Sequence, residues 1–492
     1  MFKPSLPPCG RIARRTFLAD VGFGATGLAL GAMLSRDPLV RAAEAAAAPP
    51  NGRPHIAPKA KNVIWIFLSG GYSHLETFDP KPALNKYAGK TYEETPFPNP
   101  FLSPYYEERS RSVVGMKRVT YPTVFPLQVG YQKRGELGIE VSDWLPHLSE
   151  CVDDIAFVRS MYTTDNDHAA EQQFHHGRHR LDDKQPSLGA WVSYGLGSLN
   201  ENLPQFAVLG DFVDPRVREN FAGDYLGPQY AGIHLSLDPE NPLPYGRRPK
   251  NVLADEQRNE FETIGRLNRL SAIEYPEDEQ LAARIRSYEL AFRMQMAAPE
   301  ALRFSDETAE TLRLYGIGAP ATEPSGRRLL AARRLAERGV RFSLVYLSKY
   351  GAWDSHTELQ KRHSKLCGEI DQPVAALLKD LKRRGMWDDT LVVFCTEFGR
   401  TPGMEIQGAA KTGRDHHPHG FTVWLAGAGI KRGVIHGATD ELGFHVAGDA
   451  HYVTDIHATV LHLLGLDPHR LDIPGRKRLE VDYGQVITQI LA

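Results

Sequence analysis

The chain has 492 residues, of which 42% are hydrophobic and 24% are charged, and its formal net charge is -2. This composition is typical of a soluble globular protein, and the balanced charge gives no field that favours nucleic acid or an anionic membrane as a partner. The four cysteines are widely spaced, which excludes a disulfide framework and a cysteine-based zinc site.

The N-terminal segment 1–48 has the features of an export signal. Arg14 and Arg15 precede a short apolar stretch at 21–34, and small residues follow as far as Ala48, an order typical of secretory signals. The arginine pair and the Phe-Leu that follows it resemble a twin-arginine signal. The apolar stretch is too short to span a bilayer comfortably. We therefore predict export by the twin-arginine route to the periplasm or the cell surface, without a stable membrane span.

The segment 49–61 is rich in Pro, Ala and Lys and is predicted to be a linker, and a single domain is predicted over 62–492. Continuous apolar runs predict buried strands, which we expect at 63–68, 155–159, 206–209, 340–347, 391–395 and 421–425. Apolar residues at helical spacing predict helices, which we expect at 145–153, 277–314, 327–338, 359–384 and in a last helix capped by Asp455.

Two polar regions rich in Pro or Gly, near 80–135 and 210–280, are interpreted as insertions. Elsewhere the predicted strands alternate with predicted helices. This alternation favours a three-layer α/β/α fold with a mainly parallel central sheet.

Side chains of the kind that bind metals follow several of the predicted strands. They fall into four groups: His74 with Glu76 and Asp79, Asp167 with His168, Asp354 with His356, and Glu397 with Asp415 and His416. Ligands of open α/β sheets bind outside the carboxyl ends of the strands, and carboxylates combined with imidazoles suit zinc or manganese better than calcium. A single group of this kind is more often satisfied by structural hydrogen bonds, but four groups at one edge favour a metal site.

Arg400 is predicted to make a bidentate contact with a sulfate or phosphate oxyanion, and a surface salt bridge is the alternative. His175 and His179 are expected on one exposed face of a helix, at i, i+4 spacing. The remaining histidines in the C-terminal third are interpreted as supporting or packing residues: His417, His419, His457 and His462.

Several segments are specific when they are taken together. They are FLSGGYSHLETFDPKP (67–82), RSMYTTDNDHA (159–169), PSLGAWVSYGLG (186–197), WDSH (353–356), TEFGRTP (396–402), GRDHHP (413–418) and GATDELG (437–443). In this order they resemble the alkaline phosphatase/sulfatase superfamily, and more closely a twin-arginine-exported, sulfatase-like family of unknown function. The resemblance covers most of the chain after residue 62 and implies an alkaline phosphatase-like fold.

The resemblance also implies one or two divalent metal ions. It implies Asp354, His356 and His416 as ligands of one ion, and Glu397 as a ligand of the second. The superfamily usually has a histidine directly after that last acid, where this chain has Phe398. The second metal site therefore differs from the superfamily pattern.

The superfamily also has an acidic ligand directly after the first strand, where this chain has the segment 69–71, Ser-Gly-Gly. His74 or Asp79 would have to replace it. Superfamily hydrolases carry a Ser, Thr or modified Cys nucleophile at the position that Asp167 and His168 occupy here. We therefore predict that His168 is a metal ligand or a general base.

We predict an exported, metal-dependent hydrolase of phosphate or sulfate esters, in which metal-bound hydroxide attacks the ester. The substrate would be a small molecule or a polysaccharide. The alternative is a non-catalytic exported protein of the same fold that binds a sulfated glycan or a cell-surface partner. Both hypotheses follow from the same resemblance, and the missing nucleophile is the reason to consider the non-catalytic alternative.

Overall fold

The computed structural model describes residues 52–102, 123–211, 215–238, 242–243, 253–274, 279–404, 412–471, 473, 475–476 and 478–492. The predicted export signal lies outside these ranges. Nearly all of the described residues belong to one compact unit, Asn51–Leu471 with Arg478–Ala492; of the second unit only 473, 475 and 476 are described.

The strands of the described residues are β1 Asn62–Phe67, β2 Tyr131–Arg134, β3 Ile139–Ser142, β4 Ile155–Tyr162, β5 Phe206–Leu209, β6 Ile233–Leu235, β7 Phe342–Tyr346, β8 Thr390–Cys395, β9 Gly399–Arg400, β10 His416–His417, β11 Phe421–Gly427, β12 Val434–His436, β13 Ala438–Thr439, β14 Val446–Gly448 and β15 His451–Tyr452. The α-helices are α1 Pro82–Lys86, α2 Ala170–His176, α3 Leu188–Leu196, α4 Ala254–Glu274, α5 Glu279–Leu302, α6 Ala309–Leu314, α7 Glu323–Glu337, α8 Leu359–Arg383, α9 Val453–Leu463 and α10 Glu480–Tyr483.

A nine-stranded sheet lies at the centre, in the order β12-β4-β11-β8-β1-β7-β5-β6, with β15 also paired to β4. Strand β11 is antiparallel to both of its neighbours, and the other pairs in the sheet are parallel. The prediction of a mainly parallel central sheet is confirmed. Because β11 alone is reversed, its first residue lies at the edge where β1, β4, β7 and β8 end.

Strand β1 shows how the two faces of the sheet are covered. Successive side chains of a strand point to opposite faces. Ile64 and Ile66 join the core that contains the apolar residues of α7 and α8. Trp65 and Phe67 point the other way and contact the aromatic rings of α2 and α9. Since both faces carry helices, the three-layer α/β/α arrangement is confirmed.

Two local predictions are corrected. Helix α2 ends at His176 because Gly177 takes a left-handed conformation, φ 85°, so His179 lies beyond the helix. His175 and His179 are 4% and 3% exposed rather than on an open face, because one ring packs on Phe67 and the other pairs with an aspartate. Helix α9 begins at Val453, so Asp455 lies in its first turn rather than at its cap. The region 210–280, interpreted as an insertion, contains helix α4.

Two further observations concern the boundaries of the unit. Within the predicted linker, the backbone amides of His55 and Lys59 donate to the carbonyls of Gly465 and Leu463 at 2.7 and 2.8 Å. These hydrogen bonds tie the described part of that segment to the end of α9. Among the described residues, no helix combines the length and the apolar character that a membrane span requires.

Candidate metal centre

Five loops meet at one edge of the sheet. Four of them follow β1, β4, β7 and β8, and the fifth precedes β11. In open α/β sheets this edge, outside the carboxyl ends of the strands, is where ligands bind. The loops bring together five of the predicted site residues: His168, Asp354, His356, Glu397 and His416.

Two glycines allow the loops to approach so closely. Gly70 has φ 114°, and a Cβ atom there would lie 2.7 Å from the backbone nitrogens of both Trp353 and Asp354. A Cβ atom at Gly413 would lie 2.1 Å from the carbonyl oxygen of His356. Contacts this short are sterically forbidden, so only glycine fits at either position. The loop that carries Asp354 and His356 is therefore held between these two glycines.

Asp354 lies at the centre of the cluster. Its Oδ1 is 2.9 Å from Nε2 of both His356 and His416, and its Oδ2 is 3.2 Å from Nε2 of His168. Burial favours the neutral acid, but the hydrogen bond from His168 and the charge of the Arg400 guanidinium hold the pKa of this carboxyl well below its usual range. Asp354 is therefore an anion, and His168 and Arg400 stabilise its negative charge.

His416 has its tautomer set by the backbone. Its Nδ1 lies 2.7 Å from the carbonyl oxygen of Asn166, so Nδ1 carries the proton and donates it. Burial, with Arg400 nearby, lowers the pKa of His416 to about 3 despite the opposing effect of Asp354. The ring is therefore neutral, and its Nε2 lone pair faces the Asp354 oxygen. Two lone pairs at this distance repel each other unless a cation lies between them.

The donor atoms have the spacing that a metal ion requires. Asp354 Oδ1, His356 Nε2 and His416 Nε2 form a triangle with sides of 2.9, 2.9 and 3.2 Å. Ligand atoms of a tetrahedral zinc ion, with bonds of about 2.0–2.2 Å, are about 3.3 Å apart. His356 Nδ1 points towards Asp415, whose Oδ1 is 3.8 Å away, and a carboxylate behind the ring is a common support for a ligating histidine. These residues fit a divalent cation.

His168 is in the opposite protonation state. Its Nδ1 is 3.1 Å from Glu397 Oε1, and its Nε2 is 3.2 Å from Asp354 Oδ2. Burial disfavours the charged ring, but hydrogen bonds and charge from the two carboxylates outweigh it and raise the pKa of His168 to about 9. At neutral pH the ring is an imidazolium that donates a hydrogen bond to each acid. Its side chain is 18% exposed, so it is accessible from the loop edge.

Arg400 lies beneath the cluster and is fully buried. Its Nε donates to the Gly71 carbonyl at 2.7 Å, one terminal nitrogen donates to the Arg414 carbonyl at 3.1 Å, and the other donates to the Gly70 carbonyl and to Asp354 Oδ1, the latter at 2.8 Å. These bonds use most of its donors. Arg400 therefore holds Asp354 and the loop after β1 in position.

His74 and Asp79 lie apart from this cluster and have other partners. His74 Nε2 is 2.9 Å from the Gly443 carbonyl oxygen, and its Nδ1 is 3.4 Å from the Arg400 backbone nitrogen. The ring thus donates at one nitrogen and accepts at the other, which leaves no lone pair for a metal. The Asp79 carboxylate is buried against three side chains: Lys81, Arg159 and Thr439.

Glu171 is a residue of this region that the sequence analysis did not single out. It lies in α2, one turn after His168, and is fully buried behind the cluster. Burial and the nearby Glu397 charge raise its pKa to about 8. Its carboxyl group bonds to Ser69 Oγ at 2.5 Å, Asn220 Nδ2 at 2.6 Å and the Tyr346 hydroxyl at 3.1 Å. An acid at i+3 from a predicted site residue is the signal that would have identified it.

Three solved structures illustrate what the chain is similar to. The lipoteichoic acid synthase LtaP from Listeria monocytogenes is 9% identical, with 89% of this chain and 80% of that chain covered and a TM-score of 0.34. The PsFucS1 sulfatase from Pseudoalteromonas sp. is 13% identical, with 90% and 72% covered and a TM-score of 0.34. The phosphonate monoester hydrolase of Agrobacterium radiobacter is 11% identical, with 83% and 74% covered and a TM-score of 0.35. Likeness at this level assigns neither a substrate nor a reaction.

No curated protein matches the chain. A family model described as a protein of unknown function, DUF1501, matches residues 60–491. The matched region contains every residue of the cluster described above. The chain belongs to the DUF1501 family of proteins of unknown function.

Proposed function

We propose that this protein is an exported hydrolase of phosphate or sulfate esters that depends on one divalent cation, zinc or manganese. Asp354, His356 and His416 would bind the cation. The observation that carries the proposal is the His416 Nε2 lone pair, which faces Asp354 Oδ1 at 2.9 Å with no proton available between them. A divalent cation at this position would polarise the ester oxygen and lower the pKa of water.

The remaining residues have roles that follow from their contacts. Arg400 positions Asp354 through the bond at 2.8 Å. His168 is already protonated at neutral pH, so it is suited to give its Nε2 proton to the leaving oxygen rather than to take one from water. Glu397 holds the His168 ring through Nδ1. The imidazolium also puts a positive charge beside Glu397, where the superfamily resemblance implies a second metal ion.

Water is the nucleophile in this proposal, because the nearest hydroxyls along the chain are engaged. Thr163 Oγ1 donates to Gln173 at 2.8 Å, and Thr164 Oγ1 accepts from the same amide group at 2.7 Å. Hydrolysis would transfer the oxygen of water to phosphorus or sulfur and a proton to the departing alcohol. No covalent intermediate on a side chain is required.

The test combines metal content with turnover. The purified protein is loaded with zinc or manganese, dialysed and analysed by mass spectrometry, and then assayed with aryl sulfate and aryl phosphate esters. We expect about one ion per chain in the native protein, and at least a tenfold loss of metal affinity in Asp354→Ala and His416→Ala. His469→Ala, a change at a surface histidine with a 59% exposed side chain, is the matched control. Unchanged metal content in both cluster variants would rule out the site.

The second candidate is the non-catalytic protein that binds a sulfated glycan or a cell-surface partner. It is favoured by the absence of a hydroxyl or thiol at His168, where the superfamily has its nucleophile, and by the burial of Arg400. The same assay separates the two functions. Metal that binds stoichiometrically without any ester turnover would support the binding protein, and metal-dependent turnover would exclude it.

A further inference from the structure

A cavity of about 650 Å³ lies at the carboxyl ends of β5, β6 and β7. Its volume falls within the range of about 300–1,000 Å³ that is usual for pockets of small ligands. The walls come from the loops after these three strands and from the first turns of α7. The cavity therefore opens at the same edge of the sheet as the metal centre.

One loop connects the cavity with the metal centre. Lys349 lines the cavity, and Asp354 of the metal centre follows in the same loop. Even a fully extended segment of this length would span only about 18 Å. Two turn hydrogen bonds, from Ala352 to Lys349 and from Asp354 to Gly351, both 3.1 Å, make the loop more compact. Tyr350 follows Lys349 directly in this loop, and its ring centroid is 6.0 Å from that of His168.

The cavity wall carries two cations, Arg327 and Lys349, that form no ion pair with any carboxylate of the described residues. Arg328 forms an ion pair with Asp211 at 2.7 Å, so these two charges cancel. Arg327 packs over the Phe304 ring at 4.9 Å and donates to a backbone carbonyl at 3.4 Å. Among the described residues, neither Arg327 nor Lys349 has a carboxylate within 4.0 Å.

One acid remains at the rim. Asp238 also lines the cavity and is exposed, so it opposes the two cations without neutralising either at close range. Cations in a concave site next to a reaction centre attract and orient anionic substrates. Hydroxyl and imidazole groups of the wall, from Ser236 and His234, suit the polar groups of a sugar.

We propose that this cavity binds a second anionic group of the substrate, so that the substrate is a multiply charged ester such as an oligosaccharide with several sulfate groups. The inference rests on the proposed function, since the reacting ester occupies the metal centre. Arg327 and Lys349 contact the second anion, and the loop between Lys349 and Asp354 sets its distance from the reacting group. A substrate with a single charged group uses the metal centre alone.

Binding is measured by calorimetry on the full-length, metal-stripped protein, so that no turnover is needed. The probes are a sulfated galactan tetrasaccharide, an oligogalacturonate tetrasaccharide and a neutral galactan tetrasaccharide. The first two distinguish sulfate from carboxylate as the source of the anion. We expect the double variant Arg327→Gln with Lys349→Gln to weaken binding of at least one anionic probe about tenfold. Binding should weaken further as the salt concentration rises.

Two further variants sharpen the experiment. Asp238→Asn removes the rim acid and should tighten binding of the same probe, opposite in sign to the double variant. Lys365→Gln neutralises a lysine on α8 whose side chain is 78% exposed and should change nothing. Equal binding of the anionic probes by the native protein and the double variant overturns the proposal, as does a loss that is equal for the neutral probe. If the protein hydrolyses no ester but its binding changes as expected, the anion-binding cavity is supported and the proposed hydrolase function is ruled out.

Discussion

At the scale of single residues, His416 and His168 hold their protons differently because their neighbours differ. His416 donates its one N–H, at Nδ1, to the Asn166 carbonyl, so the lone pair of its Nε2 faces Asp354. Two carboxylates surround His168, so both of its nitrogens donate. One ring is thereby prepared to bind a cation and the other carries positive charge itself. Two histidines of one cluster thus have different chemical roles.

Glu171 should make the stability of the protein depend on pH. Its pKa in the folded protein is raised above the unfolded value of about 4.3 by burial and by Glu397. The unfolded chain therefore loses this proton at lower pH than the folded protein does, so stability falls as pH rises from about 5 to 8. Glu171→Gln stays neutral and should remove this loss. From about pH 5 to 8, the free energy of unfolding of Glu171→Gln should rise relative to that of the native protein by on the order of 4 kcal/mol.

Urea unfolding at several pH values measures this effect. Glu201→Gln, a change at an exposed glutamate, is the matched control and should follow the native protein at every pH. Parallel stability profiles for Glu171→Gln and the native protein would show that the Glu171 carboxyl ionises normally in the folded state.

Sequence reasoning identified most of the residues that cluster, because motif spacing places acids and histidines at strand ends. It could not establish which side chains at one edge meet. His74 follows β1 as directly as other candidates follow their strands, yet its ring turns to the Gly443 carbonyl. Arg400 has the residue type for oxyanion binding, but the carbonyls of Gly70 and Gly71 bury it. Orientation and burial depend on contacts between distant segments, which spacing along the chain does not encode.

At the scale of elements, the buried central strands were predictable and the polar helix α4 was not. Strands β1 and β8 are buried along their whole length, so their sequences are continuous apolar runs. Helix α4 has a predominantly polar sequence, and its residues Ile264 and Leu267 are more than half exposed. A helix that buries so little of its surface has only a weak periodic pattern.

Gly70 is an element-scale position on which the proposed metal centre depends. Gly70→Ala would place a methyl group 2.7 Å from the backbone of the loop that carries Asp354. We expect a loss of stability of at least about 1–3 kcal/mol from backbone strain alone, together with a marked loss of bound metal as the loop is displaced. Denaturant unfolding and metal analysis measure the two effects.

Gly318→Ala is the matched control for this change. Gly318 has a similar φ of 103°, but a Cβ atom there would meet nothing within 4 Å. Both variants therefore bear the backbone strain, and only Gly70→Ala displaces the metal loop. Equal metal content in the two variants would contradict the role assigned to Gly70.

At the scale of the whole molecule, the proposed metal ligands are separated along the chain and meet only in the folded sheet. Asp354 and His356 follow β7, whereas His416 lies between β8 and β11. The unfolded chain has no preformed site of this kind, so a cation binds after the sheet has formed. If the proposed metal binds, it enters a protein that has already folded, which would suit a transport route that carries folded proteins. The sequence of segment 1–48 resembles the signal for such a route.

Export by the twin-arginine route can be tested at the arginine pair. Replacing Arg14 and Arg15 by lysine should leave the folded, metal-loaded protein in the cytoplasm, because the arginine pair is the feature that the twin-arginine route recognises. Cell fractionation with immunoblotting measures the location, and mass spectrometry of the retained protein measures its metal. Arg11→Lys, in the same segment but outside the pair, should be exported normally. Export of the double variant at the native level would exclude the twin-arginine route. If the retained protein is folded but holds no metal, the metal does not bind in the cytoplasm.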